Sequence, residues 1–250
     1  MGFRRHGRAS TEIVNAELSA RYAAVRHRVA DAAGRSGRSA GDVTLVAVTK
    51  TAGPDLVAAL AAAGHRDFGE NRPQDLVAKR EALRAAGDVS ASPVRWHMIG
   101  HFQRNKVGRS LASIDVLHSL DSEALARAIS ESALRAGRAD VPCYVQVNVS
   151  GEGSKGGFAP EHLGTALPRL AAMPSLRLDG LMTMAPQSES PEHARPAFQA
   201  LRELRDWARA SGYLRGSGLS MGMSEDFEVA IEEGATIVRV GRALLGSQKP

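Results

Sequence analysis

The chain has 250 residues, 43% hydrophobic but only 4% aromatic, which suits one sizeable core packed from small aliphatic side chains. Its formal net charge of +5 raises nucleic acid as a partner. Basic residues are interleaved with acidic ones, however, and no basic run alternates with aromatics, so no nucleic-acid surface is expected. No apolar run reaches membrane-spanning length, and the single cysteine, Cys143, permits neither an internal disulfide nor a cysteine metal cluster; a cytoplasmic protein is expected.

Residues 1–10, with Arg4, Arg5 and Arg8, are expected to be a disordered basic terminus ahead of one folded domain over 11–250. Helical spacing begins at Thr11 and continues to about Arg35 through Ile13, Leu18, Tyr22, Val25 and Val29. The stretch 43–50 is apolar on both parities, as a strand buried on both faces is. Further strands are predicted over 65–70, 95–100, 116–120, 142–148, 177–184, 218–223 and 236–241. Helices are predicted over 54–63, 73–86, 103–112, 122–136, 160–172, 191–211 and 225–233. Proline opens several helices, and Gly64, Gly87, Gly137, Gly212 and Gly234 follow helices where a left-handed cap is wanted. Eight strands, each followed by a helix or helical turn, predict an α/β protein, a single (β/α)8 barrel of TIM type. The extra N-terminal helix has room to cover one barrel end. An open doubly wound sheet is the alternative, weakened by the absence of a G-x-G-x-x-G motif after the first strand.

Such barrels work at the C-terminal ends of their strands, which here carry Lys50, Glu70-Asn71, Gly100-His101, Ser119, Asn148, Met182 to Met184, Met223-Ser224 and Gly241-Arg242. Lys50 directly follows the apolar run LVAVT; apolar walls would favour its free amine, whereas a snorkelling lysine would simply reach solvent. Ser224 stands at a strand-to-helix turn, with Glu225 and Asp226 fitting the first helical turn, and Gly241 precedes another helix start. That segment reads either as a phosphate site or as an ordinary glycine-rich turn with a serine cap. Arg239 shares parity with Gly241, so it points inward if the glycine does; an outward arginine paired with a helix carboxylate is the alternative. His97 and His101 lack a third ligand, so no metal is expected. Cys143, Tyr144 and Trp207 read as packing residues, and Ser154-Lys155 as part of a flap after the fifth strand, with Lys155 a surface lysine or a relay to Lys50.

The stretches LVAVTK ending at Lys50, FGEN ending at Asn71, WHMIGHFQRNK, VNVSGEGSKGGF, GLMTM, LSMGMSEDFEVAI and IVRVGRALLG resemble the YggS/PROSC family of pyridoxal phosphate homeostasis proteins. The fold of that family is similar to the barrel domain of alanine racemase. The resemblance runs from the first helix to Gly246 with its motifs in order. It implies pyridoxal phosphate as cofactor, held as a Schiff base on Lys50, with Asn71 beside the ring and Arg239 facing the pyridine nitrogen. Met223, Ser224, Gly241 and Arg242 match the phosphate-binding segments. Two departures stand out: Arg242 replaces a frequent threonine, and Arg72-Pro73 follows Asn71 where a bulkier apolar residue is common. An arginine at the pyridine nitrogen discourages ring protonation and weakens the cofactor as an electron sink. Only nine residues follow Gly241, so the second domain that gives racemases their other base is expected to be absent. The resemblance therefore implies a monomeric carrier that buffers or delivers pyridoxal phosphate, with pyridoxal phosphate-dependent apoenzymes as partners. A weak amino-acid racemase with Lys50 as sole base is the alternative.

Overall fold

A computed structural model describes residues 5–87, 93–153, 155–186 and 188–246. Short apolar runs between turns form β1 (Thr44–Val48), β2 (Asp67–Glu70), β3 (Arg95–Met98), β4 (Val116–Leu120), β5 (Val141–Gln146), β6 (Leu176–Met182), β7 (Gly218–Ser220) and β8 (Ile237–Val240). All pairings are parallel, and β1 pairs with β8 as well as β2, so the sheet closes in sequence order and the doubly wound alternative is set aside.

Parallel neighbours need crossovers, and helices supply them. After the leading α1 (Arg5–Arg35) come α2 (Pro54–Ala62), α3 (Pro73–Ala85), α4 (Val107–Ser110), α5 (Glu123–Arg135), α6 (Leu163–Ala171), α7 (Arg195–Ala210), α8 (Phe227–Glu232) and α9 (Arg242–Leu245). The stretch 103–112 is not one helix: 3-10 turns at Arg104–Lys106 and Leu111–Ser113 flank α4. Gly108 and Ser110, both weak helix formers, make up half of α4, which leaves it little propensity to extend beyond one turn. No helix among the described residues is long and apolar enough to cross a membrane.

Alternation along each strand sorts side chains between two cores. Ala47, Phe68, Trp96, Leu117, Cys143, Leu181, Leu219 and Val238 belong to the large core that includes the buried helix faces. Val46, Tyr144, Met182 and Ile237 form a second, smaller cluster on the opposite parity, inside the barrel. His97, His118, Ser220 and Arg239 share that inner parity and are also buried, so the interior is part aliphatic and part polar.

The first helix begins at Arg5, ahead of Thr11, so residues 5–10 of the expected disordered terminus are helical; residues 1–4 lie outside the described residues. Arginine is a good helix former and no proline interrupts the segment, so the helix extends ahead of Thr11. Leu18, Val25, Val29, Ala32 and Ala33 make its buried face. Rather than covering a barrel end, α1 packs on α8 and on the four-residue α9 in the outer layer. Arg28 grips Glu228 through two 2.8 Å hydrogen bonds and lies 4.6 Å above the Phe227 ring, while Arg35 bonds Glu232 at 2.8 Å.

Candidate functional site

At the C-terminal mouth of the barrel lies a cleft of about 1000 Å³, and Lys50, Asn71, Met223, Ser224, Arg239, Gly241 and Arg242 all line it. Val48, Ile99 and Met184 add apolar wall. Lys50 sits on a turn two residues beyond β1, exposed, and among the described residues makes no hydrogen bond or ion pair. Asn71 emerges beside it from β2, packed so closely on Gly100 that a Cβ there would come 2.3 Å from the Asn71 carbonyl oxygen.

Behind Lys50, on the helix side of the sheet, is an arrangement that sequence reasoning missed. Lys79 of α3 donates to Glu70 Oε1 and to the Thr49 carbonyl, both at 2.6 Å, and the Thr49 hydroxyl donates to the same carboxylate oxygen at 2.6 Å. Glu70 is fully buried, and its Oε2 has no hydrogen-bond partner among the described residues. This pair clamps the residues just before Lys50 and Asn71. The only sequence signal was a glutamate beside a strand-end asparagine.

Across the mouth, the β7 and β8 loops are tied together. The Ser224 hydroxyl oxygen accepts from Gly241 N at 3.3 Å and Ala243 N at 3.2 Å. Asp226, expected in a helical turn, instead folds back before α8 and accepts from Met223 N at 2.6 Å; burial pushes its carboxyl up, against the pull of that hydrogen bond and of Arg239. Gly222 takes φ +92°, and a Cβ there would meet the Ala230 Cβ at 2.6 Å, so only glycine fits this bend. Arg242 is exposed and pairs with Glu225 at 3.0 Å.

Arg239 lies 4% exposed at the cleft floor, turned inward as its parity with Gly241 allows. Its Nη1 donates to Ser220 Oγ at 2.6 Å and its Nη2 to the Thr183 carbonyl at 2.8 Å. Desolvation lowers its pKa to about 10, partly offset by the charge of Asp226.

His97 points into the barrel towards Asp67, whereas His101 is exposed and pairs with Asp121 at 2.9 Å; the described residues hold no cluster of three metal-ligating side chains. In the expected flap, Lys155 lines the cleft and pairs with Glu152 at 2.9 Å, and the Asn148 side chain donates to the carbonyls of both residues. Ser154 lies outside the described residues. Cys143 is buried, its thiol pushed up to about 12 by desolvation. Tyr144 packs inside the barrel, while Trp207 is 42% exposed and edges onto Tyr213.

The family model described as the alanine racemase N-terminal domain matches residues 21–249. A pyridoxal phosphate homeostasis protein of Aquifex aeolicus is 40% identical over 229 residues, covering 92% of this chain and 97% of that one. This chain belongs to the pyridoxal phosphate homeostasis protein family. Among solved structures, an unknown protein from Bifidobacterium adolescentis superposes with a TM-score of 0.86 at 39% identity, covering 93% of this chain and 96% of that one. PipY of Synechococcus elongatus PCC7942, solved with PLP bound, gives a TM-score of 0.73 at 32% identity, covering 82% of this chain and 93% of PipY.

Proposed function

We propose that this chain binds pyridoxal phosphate, holds it as a Schiff base on Lys50, and buffers or delivers it within the cytoplasm. The observation that carries the reading is the convergence in one cleft of an unpartnered lysine amine, a buried guanidinium and the tied β7–β8 loops. When bound, the cofactor supplies an aldehyde that condenses reversibly with a primary amine, and a phosphate that needs donors and positive charge. The donor set fits both: Lys50 offers the amine, and Met223, Ser224, Gly241 and Arg242 line the part of the cleft where barrels commonly hold phosphate, in the loops after strands seven and eight. Asn71 lies beside Lys50, and Arg239 at the cleft floor; these two would meet the ring, Arg239 at its nitrogen.

The residues suit holding more than catalysing. With its pKa at about 10, Arg239 remains a cation at neutral pH and has only N–H donors to present. Lys50 is exposed, so a group held on its amine would be accessible to a receiving molecule, which suits release to pyridoxal phosphate-dependent apoenzymes by a monomeric carrier.

The test is the absorption spectrum of purified protein before and after borohydride reduction, with peptide mapping of the reduced adduct. The label is expected on Lys50 and lost in Lys50→Ala; a label elsewhere, or none, would sink the reading. α-Proton exchange of amino acids into deuterated solvent at enzyme-like rates, abolished by Lys50→Ala, would replace the carrier with a racemase.

A further inference from the structure

A file of hydrogen bonds runs down the inside of the barrel beneath the cleft. Arg239 Nη1 donates to Ser220 Oγ at 2.6 Å, and that oxygen lies 2.7 Å from His118 Nδ1. His118 Nε2 lies 2.9 Å from His97 Nδ1, and His97 Nε2 lies 2.9 Å from Asp67 Oδ1. The members come in turn from β8, β7, β4, β3 and β2, so only barrel closure assembles them. His97, His118 and Ser220 are at most 1% exposed, and Tyr144 stacks on His118 with centroids 5.0 Å apart. At the far end, Arg95 reaches the Asp67 carboxylate at 2.7 Å. Burial pushes the Asp67 carboxyl up, but the hydrogen bonds from His97 and Arg95 outweigh it and hold the group below its ordinary value.

One placement of hydrogens satisfies every member. Arg239 only donates, and the Asp67 carboxylate only accepts. Ser220 Oγ accepts from Arg239, and His118 Nδ1 is its one remaining partner among the described residues, so its hydroxyl hydrogen goes there. His118 therefore carries its proton on Nε2 and donates to His97 Nδ1; His97 carries its proton on Nε2 and donates to Asp67. The reverse polarity leaves the Ser220 hydroxyl hydrogen without an acceptor in a place closed to water, which is costly.

We propose that Ser220, His118 and His97 are positioning residues for Arg239, forming a one-way relay anchored on Asp67 that holds the guanidinium in a fixed orientation at the cleft floor. The relay itself follows from the geometry of the barrel interior; its effect on binding rests on the proposed meeting of Arg239 with pyridoxal phosphate. Ser220→Ala removes the acceptor of Arg239 Nη1 and the donor to His118 at once, leaving the guanidinium only the Thr183 carbonyl, while Ser220→Thr restores the hydroxyl.

The first measurement is nitrogen-15 NMR of histidine tautomers in the ligand-free wild type. Both rings are expected to be protonated on Nε2; a proton on Nδ1 of His118 would overturn the relay. The second is titration with pyridoxal phosphate, followed by the visible Schiff-base band. Ser220→Ala is expected to bind about tenfold more weakly, the size of a hydrogen bond to a charged group, with a displaced band, and Ser220→Thr to recover both. Wild-type affinity and spectrum in Ser220→Ala would refute the positioning role. Circular dichroism establishes that each variant is folded, and should Ser220→Ala fail to fold, the wild-type tautomers still decide. A wild type that bears the expected tautomers but binds no pyridoxal phosphate would refute the proposed function and leave the relay standing.

Discussion

Lys79→Met tests whether the buried pair behind Lys50 holds the mouth of the barrel together. The substitution keeps most of the stem and deletes the charge. The Lys79 side chain is 10% exposed and Glu70 is fully buried, so water is a poor substitute for the lost ammonium. What remains is a carboxylate whose Oε1 keeps only the Thr49 hydroxyl and whose Oε2 had no partner to begin with. Removing one member of a buried pair costs about 3–5 kcal/mol, and the carbonyl of Thr49, also stripped of its donor, adds about 1 kcal/mol. The expected loss of unfolding free energy is therefore about 4–6 kcal/mol. Adding Glu70→Gln neutralises the stranded charge and should return about 2 kcal/mol, so the double variant is more stable than Lys79→Met alone. Urea denaturation followed by circular dichroism, with slopes compared across the wild type, Lys79→Met and the double variant, makes the measurement. A loss below about 1 kcal/mol for Lys79→Met, or a double variant less stable than the single, would refute the argument.

Three further outcomes are expected. Ser224→Ala deprives Gly241 and Ala243 of an acceptor, and should weaken pyridoxal phosphate binding by about tenfold in a fluorescence titration. His65 and His118 are both held below their ordinary value by burial, so the unfolded chain takes up protons that the folded chain refuses. Their contribution to stability is intact above about pH 6.5 and is lost as pH falls below it, at up to about 1.4 kcal/mol per pH unit for each ring, measurable from urea midpoints between about pH 5 and 7.5. Cys143, with its thiol at about 12, should resist a chromogenic disulfide reagent at pH 8 until urea unfolds the chain; rapid native labelling would contradict its burial.

The strands were legible because each is a short apolar run stopped by glycine, proline or a polar end, and that signal is local. Residues 103–112 do not form one continuous helix because α4, half of it Gly108 and Ser110, has little local propensity to extend beyond a single turn, and 3-10 turns take over on both sides. The seven residues at the cleft were nominated by strand ends and family motifs, and their meeting in one place needed only the barrel topology. What stayed hidden depends on closure. Glu70 and Lys79 are nine positions apart on different elements, and His118 meets Ser220 across 102 residues, so no periodicity in the chain connects either pair. Asp226 was misplaced because a first-turn carboxylate and one that folds back to the preceding loop look alike in sequence.

The clasp between α1 and the last β/α unit has a consequence for synthesis. The bond from Arg28 to Glu228 spans 200 residues, and Arg21 reaches the Leu244 carbonyl over 223. A chain made from its N-terminus therefore presents the apolar stripe of Leu18, Val25 and Val29 long before the surface that covers it exists. On a ribosome adding about 5–20 residues per second, that stripe stays bare for about 10–40 s. During this interval the nascent chain exposes an apolar face that the finished barrel does not show. The same order of synthesis places the completion of the β7–β8 loops, and with it any capacity to take up ligand, after β1 to β6 have been made.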